Sequence, residues 1–276
     1  MAYFTTSDGL SLYYVDEGSG PVVLCLAGLT RNIADFTYLV PHLPDHRVIR
    51  MDYRGRGQSE YAEDYMSYNI LREGQDAIEL MDHLGLDRVT LMGTSRGGLI
   101  AMALSITHPG RMNGVILNDI GPEVSDLGIQ RIMDYVGKAP PFATLEVAAV
   151  ALQNGFAESF PNVPLARWQE QAEFMWTDTP NGVGLRYDPK LRDALIGQAG
   201  VGDAPDLWQL FDGLADLPLA TIRGENSDLF AAETFDKMAA RHPGMITAIV
   251  PNRGHVPFLD EPEALAAIHQ LLAQIT

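Results

Sequence analysis

A chain of 276 residues has room for one large domain, or for a core that carries a smaller insertion. Its formal net charge of −17 argues against a nucleic-acid binder, because phosphate recognition needs clustered Lys and Arg. The single cysteine, Cys25, excludes an intrachain disulfide and sits in an apolar run where it reads as a small core residue.

The chain opens on two short segments, 2–6 and 10–15, joined by the turn Ser7-Asp8-Gly9, which reads as an antiparallel entry pair. Short aliphatic runs follow at 22–27, 47–51, 89–93, 114–118, 219–223 and 246–250. They lack period-two polarity, as strands buried on both faces do. Amphipathic stretches lie between them. One carries Ile33, Phe36, Val40 and Leu43, another Ile70, Ala77, Ile78, Met81 and Leu84 before Gly85. A third spans 96–108, and the last opens at Pro262 and buries Leu265, Ile268 and Leu272. The alternation predicts an α/β fold: a mostly parallel, eight-stranded sheet with helices on both faces. From 122 to 213 no parallel strand is evident, and all three tryptophans fall there. That interval reads as a helical cap inserted into a core of 1–121 and 214–276. No apolar run approaches the ~20 residues of a membrane helix. With no leader-like start either, the expectation is a soluble cytoplasmic protein, monomer or homodimer, with no membrane partner.

Chemistry concentrates in Gly93-Thr94-Ser95-Arg96-Gly97, which follows a strand and opens a helix. A serine hydroxyl attacks only if it projects alone from a sharp turn, and glycines on either side let strand and helix backbones approach. In an open α/β sheet, ligands bind beyond the carboxyl ends of the strands. Of the seven histidines, only His255 follows a strand and precedes a helix. Three aspartates follow strand ends. Asp52 reads as an anchor for the glycine-rich turn after it; Asp228, after the penultimate strand, is the preferred acid, and Asp119 its rival.

The order Ser95, Asp228, His255 and the motifs Leu26-Ala27-Gly28-Leu29, Asp52-Tyr53-Arg54-Gly55-Arg56-Gly57-Gln58-Ser59, Gly93 to Gly98, and Gly254-His255 resemble the α/β-hydrolase superfamily. The likeness covers the core and points to cap-bearing esterases, lactonases and carbon–carbon hydrolases. It implies acyl transfer through Ser95, with His255 as base and the backbone N–H groups of Leu29 and Arg96 as oxyanion donors. It implies no metal or other cofactor. The chain departs from the family pattern at Ala27-Gly28, where a His-Gly pair is usual, and at Arg96, where Met, Leu or Gln is common. The Arg96 side chain is expected either to hold a substrate carboxylate or to pair with a local acid or carbonyl. Trp168 and Trp176 are expected to contact a small, mostly apolar substrate. Three activities fit: hydrolysis of a carboxylic ester or lactone, hydrolysis of a carbon–carbon bond in a ring-fission diketone, or ligand binding on a hydrolase scaffold.

Overall fold

The computed structural model describes residues 2–199 and 206–275. Eight strands form one sheet: β1 (Ala2–Thr5), β2 (Ser11–Gly18), β3 (Val22–Leu26), β4 (Arg47–Met51), β5 (Val89–Thr94), β6 (Met112–Asn118), β9 (Leu219–Gly224) and β10 (Ile246–Val250), in the order β1-β2-β4-β3-β5-β6-β9-β10. Pairing is antiparallel for β1 with β2 and for β2 with β4, and parallel throughout the rest. Every residue of β5 is buried, as its uninterrupted apolar run requires. β2 runs three residues past the expected end, through Asp16, Glu17 and Gly18. Cross-strand pairs explain it: Arg47 holds Asp16 at 2.7 Å and Arg50 holds Glu17 at 2.5 Å, so acidic side chains remain on a pleated strand.

Helices α1 (Ile70–His83), α2 (Arg96–Thr107), α8 (Ala232–Arg241) and α9 (Pro262–Leu272) cover the sheet. The expected helix through 33–43 is instead two single 3-10 turns, Ile33–Phe36 and Val40–His42. Pro41 has no N–H to give, so an α-helical ladder cannot run through the segment. Its apolar spacing still buries Phe36, Leu39 and Leu43.

Between β6 and β9 lie α3 (Asp126–Tyr135), α4 (Leu145–Gly155), α5 (Leu165–Met175), the antiparallel pair β7 (Trp176–Thr179) and β8 (Gly182–Leu185), α6 (Leu191–Ala199) and α7 (Leu207–Asp212). The stretch read as purely helical therefore contains a hairpin of four-residue strands, one rich in Thr and Asp and the other interrupted by glycines, so neither presents an apolar run. A separate small core of Ala148, Leu152, Phe160, Val163, Trp168 and Ala172 holds α4 to α5. α7 differs from its neighbours: Phe211, Leu214 and Trp208 pack into the main core beside the sheet. No helix among the described residues is long and apolar enough to cross a membrane.

Beneath the nucleophile helix, α1 turns two acids inward. Asp76 receives Arg54 at 2.6 Å, and Glu73 lies 2.8 Å from Arg56 and 2.5 Å from Arg96, with these charges buried. The Arg56 guanidinium also sits 5.7 and 5.3 Å from the ring centres of Tyr53 and Tyr68. One carboxylate thus serves two guanidinium groups out of reach of water. Removing it strands both cations, a loss of about 3–5 kcal/mol. Glu73→Gln should accordingly lower the urea midpoint sharply with an unchanged slope. A midpoint equal to that of the parent would show that the network contributes nothing to stability.

Candidate active site

Ser95 links β5 to α2 with φ 50° and ψ −113°, a conformation an L-residue holds only when its surroundings enforce it. The enforcement is steric. A Cβ on Gly93 would lie 2.5 Å from the Gly97 carbonyl carbon, and one on Gly97 would lie 2.0 Å from the Leu26 oxygen. Strand and helix are in backbone contact, so the chain must reverse within one residue. The Ser95 N–H donates to the Asn118 carbonyl at 2.9 Å, which fixes the turn against the end of β6.

His255 lies in the loop after β10. Its Nε2 is 3.0 Å from Ser95 Oγ and its Nδ1 is 2.7 Å from Asp119 Oδ2. The loop is tied down by the buried carboxylate of Glu261, which accepts from Arg253 Nε at 2.7 Å, Leu259 N–H at 2.9 Å and Phe258 N–H at 3.1 Å.

Asp119 is fully buried at φ 55° just beyond β6. Its Oδ1 accepts from the Gly224 N–H at 2.7 Å, and its Oδ2 accepts from Ser227 Oγ at 2.6 Å beside the imidazole. Ser227 Oγ itself accepts from the Phe230 N–H at 3.1 Å, which leaves its proton for the carboxylate. The Gly224 N–H, the Ser227 hydroxyl and His255 Nδ1 thus converge on one carboxylate, so this buried group has its partners inside the protein.

The expected acid, Asp228, is not there. Its side chain pairs with Arg131 of α3, and its carbonyl accepts from the Ser125 hydroxyl. The reason lies in the lateral order of the sheet. β6 is the immediate neighbour of β5, so a residue just past its end stands beside the nucleophile turn. β9 is one strand further out, and its following loop supplies donors to Asp119, through Gly224 and Ser227, instead of the acid. These two supports were not singled out from the sequence. Nor was Asn118, whose buried Nδ2 donates to Thr94 Oγ1 at 3.2 Å and to the Pro257 carbonyl at 3.3 Å. That one amide joins the residue before the serine to the histidine loop.

On the other side of Ser95, a Cβ on Gly28 would lie 3.9 Å from Ser95 Cβ. Among the described residues, nothing accepts from the backbone N–H of Leu29 or of Arg96. The turn is braced by Tyr53, whose hydroxyl donates to the Ala27 carbonyl at 3.1 Å, and by Arg56 Nε, which donates to the Leu29 carbonyl at 3.1 Å. Asp52 anchors both flanking segments: it accepts from Ile33 N–H at 2.8 Å and Gln58 N–H at 2.9 Å. Burial outweighs these bonds and pushes its carboxyl up to about 6.

The Arg96 side chain does not face a substrate. It is buried, bonded to Glu73 at 2.5 Å and to the Tyr68 carbonyl at 3.2 Å, the local acid and carbonyl of its alternative reading. Trp168 is only 4% exposed, stacked 5.6 Å from Phe156 and edge-on to Phe160 and Phe258, so its ring fills the small core of the insertion. Trp176 packs 5.7 Å from Phe142 at the start of β7. Among the described residues, neither ring has a hydrogen bond or ring contact with Ser95 or His255. Among the described residues, no three His, Cys, Asp or Glu side chains are grouped to hold a metal ion.

The profile of the alpha/beta hydrolase fold matches residues 21–262. The chain belongs to the alpha/beta hydrolase fold family. It is 32% identical to the 3-hydroxybutyrate-oligomer hydrolase of Cupriavidus necator, over 92% of this chain and 89% of that protein. Haloalkane dehalogenase 2 of Mycobacterium tuberculosis is 33% identical, over 96% of this chain and 92% of its own length. Among solved structures, an alpha/beta hydrolase from Novosphingobium aromaticivorans superposes with a TM-score of 0.91 at 42% identity, covering 99% of both chains. Within this hydrolase fold the two aspartates are separable by kinetics. Asp119→Asn keeps the shape but removes the charge behind the imidazole, so kcat should fall by up to about 10⁴. Asp228→Asn should cost about tenfold or less. The reverse ranking, with both variants folded, would move the acid to the β9 loop.

Proposed function

We propose that the protein is a serine hydrolase of small carboxylic esters or lactones, with Ser95, His255 and Asp119 as its triad. The observation that carries this reading is the unbroken run from Ser95 Oγ to His255 Nε2 at 3.0 Å and from His255 Nδ1 to Asp119 at 2.7 Å. As Ser95 Oγ bonds to the substrate carbonyl carbon, its proton passes to His255 Nε2. The carbonyl π pair becomes an oxyanion facing the Leu29 and Arg96 N–H groups. Collapse expels the alkoxide, which takes the proton from the imidazolium. Water then attacks the acyl-serine with the same base, and the acid is released. Asp119 holds the tautomer that presents a lone pair to Ser95 and stabilises the imidazolium.

The Cupriavidus relative supports the ester reading, since an oligomer of a hydroxy acid is joined by ester bonds. The dehalogenase acts on another bond, so the family alone does not name a substrate. The insertion between β6 and β9 is the element that would close over the serine, through the contacts α5 makes with residues 31–38: Arg31 to Gln171, Asn32 to the Phe174 carbonyl and Tyr38 to Glu170.

A fluorophosphonate probe should add once, at Ser95. Ser95→Ala should abolish both that labelling and turnover of short-chain aryl esters. Labelling at another serine, or full turnover by Ser95→Ala, would refute the assignment.

A further inference from the structure

We propose that Arg31 forms an anion subsite beside Ser95, which binds a carboxylate carried on the acyl part of the substrate. The inference rests on the serine-hydrolase reading and adds to it the class of acid that the site accepts. The sequence pointed to a cation near the nucleophile but attached the role to Arg96, whose guanidinium is buried against Glu73. Arg31 stands beside the Gly28 turn that flanks the serine. Its Cγ lies 3.2 Å from the position of a Cβ on Gly28, the same position that lies 3.9 Å from Ser95 Cβ. The Arg31 N–H closes the oxyanion turn on the Gly28 carbonyl at 3.2 Å, so the side chain departs from the edge of that turn.

The guanidinium is held but not saturated. Nε donates to Asp35 at 2.8 Å, and Nη2 lies 2.6 Å from the same carboxylate and donates to Gln171 Oε1 at 2.7 Å. A guanidinium has five N–H donors, two of them on Nη1. Among the described residues nothing accepts from Nη1, and that atom is absent from the buried, unpartnered polar atoms. Asp35 and Gln171 therefore fix the plane of the group through Nε and Nη2 and leave Nη1 to a further acceptor, on a side chain that is 19% exposed. A donor oriented in advance loses little entropy on binding, and charge assistance makes a carboxylate its best acceptor. The charge around it sharpens the point. In a chain of net charge −17, a free anion is repelled unless a fixed cation receives it, so a carboxylate bound near Ser95 needs such a group. Gln171 belongs to α5, so a helix of the segment between β6 and β9 borders the same turn.

The test compares p-nitrophenyl hydrogen glutarate and adipate with their methyl esters, which match them in length but carry no charge. The wild-type protein should prefer the anionic member of a pair. In Arg31→Met the ratio of kcat/KM for the anionic over the methylated ester should fall by about tenfold or more, mainly through KM. Arg31→Lys, which keeps the charge and the Asp35 pair but loses the forked nitrogens, should lose most of the preference as well. A ratio unchanged in both folded variants, or a wild-type protein that favours the methyl esters, would overturn the proposal. A readout independent of turnover separates this outcome from failure of the hydrolase reading. Adipate alone should raise the Tm of the wild type and of Ser95→Ala, and should not raise that of Arg31→Met. If Ser95 takes no probe while that Arg31-dependent shift is present, the hydrolase reading fails and the subsite stands. If Ser95 is labelled and no shift depends on Arg31, the subsite fails alone.

Discussion

For a serine hydroxyl to stand alone at the head of a helix, the strand before it and the helix after it must touch, and in this protein they do. No Cβ fits at Gly93 or Gly97 without entering backbone atoms of the facing segment. That contact drives Ser95 to φ 50° and leaves its Oγ facing His255 Nε2 at 3.0 Å. Everything around the site is arranged to hold the strained residue. Its own N–H is taken by Asn118, and the Asn118 side chain reaches Thr94 and Pro257. The end of β6 thereby fastens the serine turn and the histidine loop at once, and its next residue is Asp119. One short segment thus carries the carboxylate that meets His255 and sets the distance across which His255 and Ser95 face each other. Strain at the serine is tolerable because so many bonds converge on it.

A second layer lies under α2. Burying Glu73 and Asp76 would be prohibitive without partners, and each is met by guanidinium groups from the glycine-rich turn after β4 or from the nucleophile helix. The turn is shaped to allow this. Gly57, at φ 55°, passes so close to Asp52 that a Cβ there would lie 2.0 Å from the carboxylate. Asp52 in turn holds the segment that carries Arg31 and follows the turn at Gly28 and Leu29. Arg56 spans both layers, touching Glu73 at one end and the Leu29 carbonyl at the other. A charge cluster remote from the serine therefore has a mechanical line to the turn at Gly28 and Leu29.

Much of this was legible in the residues, and the parts that were not share a cause. The parallel strands announce themselves as apolar runs, and Ser95 and His255 follow from which ends of those strands they occupy. Chain order, however, says nothing about lateral order. β6 lies between β5 and β9 in the sheet, and only that neighbourhood makes Asp119 the partner of His255 and turns Asp228 toward Arg131. The same blindness hid the partner of Arg96: Glu73 is on a different helix, at a spacing no local pattern reports. The hairpin of β7 and β8 was missed because β7 is mostly polar and β8 alternates glycine with Val183 and Leu185, and the tryptophans misled because the segment between β6 and β9 spends its large rings on its own core.

The central claim is that Asp119 is the group that holds the His255 imidazole. Selective ¹⁵N labelling of histidine, with NMR of the proton on His255 Nδ1, reads that contact without a substrate. A proton shared with a buried carboxylate resonates far downfield of the amides. The account predicts that this signal is present in the wild type, persists in Asp228→Asn, and is lost or moves strongly upfield in Asp119→Asn. A signal that survives in folded Asp119→Asn and vanishes in Asp228→Asn would contradict it.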